Sequence, residues 1–327
     1  MPSNDLLLSV HGLKVRFRTS QGTLRAVNNG HFDVRQGEIY GIVGESGSGK
    51  SVTALSILRL LPPSAHIAGG NILFHGTDLL SMDDHQIRSI RGKRISMVFQ
   101  DALASFDPLF TIANQIGEAM LIHRKMGAGE LDKQIVRLIS SVGIPEPAIR
   151  KDQYPHQFSG GMKQRAMSAM ALSNNPELII ADEPTTSLDV TIQAQIMELF
   201  KDLTRRLSVS ILLITHDMGI IAEVCDRVSV MYAGFVIETS DVFSLFKQPK
   251  HPYTRMLMSS IPRLDTETTS LASIPGRVPN PLDLPPGCVF QPRCHYAADM
   301  CTQGMPELLD QEDGTKVACH RIQRGDL

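Results

Sequence analysis

The sequence predicts an α/β fold built on a mixed central sheet, and three observations carry that expectation. A compact apolar run over 39–43 passes into a glycine-rich loop and then into a helix-forming stretch over 51–61. A second apolar run, over 178–181, ends on two carboxylates, as a buried parallel strand does when its end meets a ligand. Between them, residues 105–175 carry apolar side chains at three-to-four spacing and read as mostly helical.

The elements follow in order. Short strands are expected over 6–10, 13–17 and 26–34, separated by Gly12 and by Ser20-Gln21-Gly22, which makes an antiparallel N-terminal β region. The helix over 51–61 stops at Pro62-Pro63. A strand over 95–99 leads to Gln100, and helices are expected over 112–126 and 131–142. A helix over 192–207 separates the strands 178–181 and 210–215, and a hairpin over 227–232 and 235–238 turns on Ala233-Gly234. Ten of the 19 prolines lie between Pro249 and Pro306, which rules out a long helix or central strand there. The expected domains are therefore 1–250, with a helical subdomain at about 105–175, and an irregular Pro/Cys-rich extension over 251–327.

Bulk properties narrow the function. The 327 residues are 42% hydrophobic and 20% charged, enough for a real core. A net charge of −2 and a pI near 6.6 argue against a nucleic-acid binder that relies on bulk positive charge. No apolar run reaches the ~18 residues of a membrane span. Residues 1–5 lack the basic start of a secretory signal, so the expected compartment is the cytosol.

Gly44-Glu45-Ser46-Gly47-Ser48-Gly49-Lys50-Ser51 fits G-x4-G-K-[ST]. Glycines let successive N–H groups point inward at phosphate oxygens, and the next helix presents its positive end to the same anion. Lys50 is the residue to neutralise the β/γ phosphates, and Ser51 to ligate Mg²⁺. Asp182 and Glu183 are candidates to hold Mg²⁺ through water and to polarise an attacking water. Gln100 ends its strand where it can reach Mg²⁺ or that water, and His216 ends another where a γ-phosphate contact is open to it. Ser159-Gly160-Gly161 opens a helix, which reads either as an ordinary cap or as a second anion site.

Taken together, Gly44–Ser51, Gln100, Ser159-Gly160-Gly161, Asp182-Glu183, Asp189 and His216 resemble the Walker A, Q-loop, signature, Walker B, D-loop and switch-histidine motifs of ABC transporter ATPases, in family order over about 5–250. The signature carries Met162 where the family usually has Gln. The resemblance implies a P-loop ABC ATPase fold, with ATP and Mg²⁺ bound by Gly44 to Val52, Gln100 and Asp182. It implies Glu183 and His216 as catalytic groups and an adenine-stacking aromatic, for which Phe17 is the candidate. Tail segments around Pro249-Lys250-His251-Pro252-Tyr253 and Pro286-Gly287-Cys288 are similar to the dipeptide/oligopeptide importer ATPases, the D-type subunits of dipeptide permeases above all. That family implies a head-to-tail pair with a related ATPase, in which Ser159, Gly160 and Gly161 act on the partner's ATP. It implies two transmembrane permease subunits, an extracytoplasmic peptide-binding protein, and a peripheral place on the cytoplasmic face of the inner membrane. The segment 102–114, with Phe106, Leu109 and Phe110, is then the membrane-subunit contact. Some members serve nickel, so another cargo is the alternative. A soluble non-transport ABC ATPase is disfavoured because no heptads interrupt 51–159.

Four of the five cysteines close the chain, spaced Cys288-x5-Cys294-x6-Cys301-x17-Cys319. In a reducing compartment such clustering suggests metal before disulfides. No C-x2-4-C knuckle occurs, so a [4Fe–4S] cluster is preferred to zinc, with unliganded thiols as the third option. The similar importer ATPases that carry such a cluster point the same way. Cys225 reads as a small buried hydrophobe in a helix.

Overall fold

The computed structural model describes residues 6–100, 105–186, 189–260 and 274–327. Its strands are β1 (Leu6–Thr19), β2 (Gly22–Arg35), β3 (Ile39–Val43), β4 (Ala65–Phe74), β5 (Thr77–Asp78), β6 (Ile95–Val98), β7 (Leu178–Asp182), β8 (Ser210–Thr215), β9 (Arg227–Tyr232), β10 (Phe235–Asp241), β11 (Leu309–Asp310) and β12 (Lys316–Val317). Its helices are α1 (Lys50–Ile57), α2 (Asp84–Ile90), α3 (Ile112–Leu121), α4 (Ala128–Ser141), α5 (Pro147–Arg150), α6 (Gly160–Leu172), α7 (Val190–Leu207), α8 (Met218–Val224), α9 (Val242–Lys247), α10 (Pro252–Ser259) and α11 (His320–Gln323). The chain divides into two units, one from residues 1–35, 40–80 and 215–327, the other from 36–39 and 81–214.

In the first unit the strands run in the order β5-β4-β1-β2-β10-β9-β3. The β1–β2–β4 part is antiparallel, and Val10, Leu13, Val15 and Val27 are buried on it. The two short strands expected over 6–10 and 13–17 are one. Gly12, at φ 61°, is absorbed as a bulge with a register shift between Val10 and Leu13, so the ladder resumes. β3 is buried throughout and lies parallel to β9. The β9–β10 hairpin turns where expected, with Ala233 and Gly234 at φ 47° and 83°, the left-handed pair that a tight two-residue turn needs. The tail is less irregular than expected: β12 adds antiparallel to β10, and β11 to β12. α1 stops well before Pro62, because Arg59 turns left-handed at φ 52° just past its end.

In the second unit β8, β7 and β6 are parallel and almost wholly buried, which explains their unbroken apolar composition. α3 opens on a Thr111 capping box with Asn114 and buries Ile112, Ile116 and Met120. It ends at Leu121, short of the expected 126, because Leu121 and Ile122 already face solvent and its apolar stripe is spent. Among the described residues, no helix is long and apolar enough to cross a membrane.

Candidate active site

The phosphate loop belongs to the first unit and joins β3 to α1. β9 and β2 press on it so closely that only glycine fits at two points. A Cβ on Gly44 would lie 2.1 Å from the Met231 carbonyl oxygen, and one on Gly49, at φ 101°, 2.6 Å from that of Ala26. The loop is cross-braced from within. Ser48 N–H donates to the Glu45 carbonyl at 3.1 Å, and Gly234 N–H of the hairpin turn donates to the Ser48 carbonyl at 2.9 Å. Lys50 Nζ curls back onto the carbonyls of Gly44 (2.7 Å) and Glu45 (3.1 Å). Ser51 and Val52 sit half-buried on the first turn of α1, while Ser46 and Gly47 are exposed. Also in this unit, His216 follows β8 and is exposed, and Phe17 is half-buried on β1 opposite Leu24 and Ala65.

Two residues of the tail reach the loop, and sequence reasoning did not single them out. Tyr253 Oη accepts from the Glu45 N–H at 3.0 Å, and Arg293 forms a two-pronged ion pair with the Glu45 carboxylate. Burial alone would lower the pKa of the Arg293 guanidinium, but its bonds to Glu45 and Tyr232 outweigh that and raise it. The available signal was the tail sequence itself, where Arg293 directly precedes Cys294.

The acidic strand end lies in the second unit. Asp182 is the buried last residue of β7. Glu183 leaves the strand at φ 47°, a conformation that non-glycine residues avoid. Its Oε2 accepts from Gln100 Nε2 and from Thr186 Oγ1, both at 3.0 Å. The structure thus brings Gln100 and Glu183 together and adds Thr186, three residues on, which pattern reasoning passed over. Ser159 caps α6 by accepting from Met162 N–H. Gly160 is exposed, and Gly161 faces α7 with its absent Cβ 2.8 Å from Ile192 Cγ2. Asp189 caps α7 through Ile192 N–H at 3.0 Å. Of the expected membrane-facing segment, 102–104 lie outside the described residues. Phe106 is buried rather than exposed, whereas Leu109 and Phe110 stand 79% and 52% exposed.

Cys288, Cys294, Cys301 and Cys319 line one small pocket, together with His251, Phe290 and His320. Cys288 N–H donates to the Cys301 carbonyl at 2.8 Å. Burial, aided by the neighbouring cysteines, pushes the Cys288 thiol up to about 12, and burial raises Cys294 as well. Among the described residues, no three His, Cys, Asp or Glu side chains are arranged to hold a metal ion. His320 Nε2 is engaged by the Gly304 carbonyl at 2.9 Å, and His295 is exposed. Cys225 is half-buried and follows α8 instead of lying within it, packed beside the apolar cluster of Ile221 and Val228.

Comparison with known proteins gives two family matches: "ABC transporter" over residues 27–186, and "Oligopeptide/dipeptide transporter, C-terminal region" over 237–301. The dipeptide transport ATP-binding protein DppD of Bacillus subtilis is 49% identical, over 98% of this chain and 99% of its own. The oligopeptide transport ATP-binding protein OppD of Escherichia coli is 45% identical, over 97% and 94%. Among solved structures, a dimeric form of the ATP-binding cassette MJ0796 bound to ADP and Pi is similar with a TM-score of 0.65 and 26% identity, over 72% of this chain and 99% of that one.

Proposed function

Because the chain belongs to the ATP-binding subunits of ABC transporters, in the branch with the oligopeptide/dipeptide C-terminal region, we propose that it hydrolyses ATP to drive uptake of dipeptides and short peptides. The observation that carries the cargo is the tail, which is of the peptide-transport type and is built into the same unit as the phosphate loop. The nucleotide chemistry rests on residues already described. The loop N–H groups from Gly44 to Ser51 and the Lys50 ammonium hold the phosphates, with Val52 on the same turn. Ser51 on the phosphate loop would be a ligand of Mg²⁺, as would Gln100 and Asp182 at the acidic strand end, and the ion would neutralise phosphate charge. Glu183, held by Gln100 and Thr186, orients the attacking water and takes its proton, and His216 contacts the γ-phosphate. Phe17 stacks on adenine. Ser159, Gly160, Gly161 and Asp189 serve the ATP of a second, related ATPase subunit in a heterodimer.

In this reading Leu109 and Phe110 meet one of two transmembrane permease subunits at the cytoplasmic face of the inner membrane, and an extracytoplasmic binding protein delivers the peptide. The four cysteines hold a [4Fe–4S] cluster. What supports this is the donor set: four cysteines line one pocket, and thiolates are the ligands such a cluster takes. Bound there, the cluster cross-links a proline-rich segment that has little regular structure of its own. The whole reading is tested by reconstituting the subunit with its permease partners and binding protein in proteoliposomes. ATP-dependent accumulation of a labelled dipeptide supports it; ATP turnover that no peptide stimulates, with no accumulation, overturns the peptide cargo.

A further inference from the structure

Glu45 is the first variable residue of the phosphate loop, and the tail holds it at two of its atoms groups at once. Arg293 Nη1 donates to Glu45 Oε2 at 2.8 Å and Nη2 to Oε1 at 3.2 Å. The rest of the guanidinium is equally occupied: Nε donates to the Pro275 carbonyl (2.9 Å), Nη1 to Tyr232 Oη (3.1 Å) and Nη2 to the Ile274 carbonyl (3.3 Å). The side chain is only 4% exposed. A lysine has three donors and no planar fork, so it cannot reproduce this set. On the backbone side, Tyr253 Oη takes the Glu45 N–H. The carbonyl of the same residue receives both Lys50 Nζ and Ser48 N–H. The Glu45 N–H shares a rigid peptide plane with the Gly44 carbonyl, so holding that N–H orients the carbonyl that receives Lys50 Nζ at 2.7 Å.

We propose that Arg293 is a positioning residue for the nucleotide site: from the tail it sets Glu45, and through Glu45 the resting geometry of the phosphate loop, before nucleotide arrives. The tail then contributes to ATP affinity as well as to its own packing. The inference rests on the ATP-binding reading of the loop, and the test separates the two. Equilibrium titration of the full-length chain with Mg²⁺ and a fluorescent ATP analogue is run for wild type, Arg293→Lys, Glu45→Gln and the double variant, with Lys50→Ala as the reference for a disabled loop. Thermal midpoints without nucleotide are recorded in parallel. Each single change is expected to weaken binding about fivefold or more, and the double variant no more than the worse single one, as for two residues acting through one contact. A purely structural role would move the midpoints while leaving affinity within about twofold of wild type. That result, or losses that multiply in the double variant, overturns the inference while leaving the ATP site standing. Absence of binding by wild type overturns the reading of the loop itself. Should Arg293→Lys not fold, Tyr253→Phe replaces it, keeping the ring and losing the hydroxyl. Wild-type affinity in both Tyr253→Phe and Glu45→Gln overturns the inference equally.

Discussion

Glu183 is the residue on which strain, hydrogen bonding and chemistry coincide. A left-handed non-glycine residue costs on the order of 1–3 kcal/mol and persists only where its surroundings over-determine it. Here its N–H donates to the Ile214 carbonyl, and its carboxylate is held by Gln100 and Thr186. Glutamine at this position keeps the shape and removes the proposed base. Glu183→Gln is therefore expected to bind ATP normally and to turn it over at least about a hundredfold more slowly, measured as phosphate release from the assembled complex. Lys50→Ala is expected to lose nucleotide binding itself. Lys50 stood out through the glycine-loop pattern, and Asp182 and Glu183 because they close and follow a strongly apolar strand. The Gln100–Glu183 bond was not legible, since pattern locates strand ends but not which side chains meet from 83 positions apart.

At the scale of elements, the tail is fastened by an aromatic cluster and by capping. Phe290 packs edge-on against Tyr232 of β9 and Tyr253 of α10, with centroids 5.2 and 5.4 Å away. Phe290→Ala is expected to cost about 3–5 kcal/mol and to expose the tail to limited proteolysis, read as a lower thermal midpoint and a new cleavage product. α10 depends on buried polar groups. Its cap, His251, accepts from Tyr253 N–H through Nδ1, and the buried Glu238 carboxylate accepts from the N–H groups of Lys250 and His251. Burial lowers the His251 pKa from 6.5 to about 3. Between those values the unfolded chain binds a proton that the folded chain refuses, so stability falls as pH drops from about 6.5 toward about 3. His251→Asn puts a capping amide oxygen in place of Nδ1 and removes the titration; its midpoint is expected to decline less over that range. The existence of α1, α3, α4 and α7 was readable from periodicity, whereas the early ends of α1 and α3 were not, because they depend on a left-handed Arg59 and on which face of α3 is already covered.

For the whole molecule, the predictions concern assembly and metal. Anaerobically purified chain is expected to contain about four irons and four acid-labile sulfides with a broad band near 400 nm, as a cubane cluster requires; zinc would make the tail a zinc clip, and no metal would leave the cysteine pocket a packing feature. Phe110→Ser, changed at an exposed site, is expected to leave folding intact while uncoupling ATP turnover from uptake or preventing assembly, read as accumulation per phosphate released. Intact, coupled uptake would remove Phe110 from the permease contact. The sequence by itself determined the α/β class, the phosphate loop, the acidic strand end and the peptide-transport character of the tail, because these depend on local spacing and on apolar runs that any fold of this chain must bury. Tertiary structure alone decided that four cysteines spread over 288–319 line one pocket, and that Arg293 and Tyr253 close on Glu45 from more than two hundred residues away. Such contacts arise from long-range strand pairing and packing, which bring together side chains whose separation along the chain carries no periodic signal.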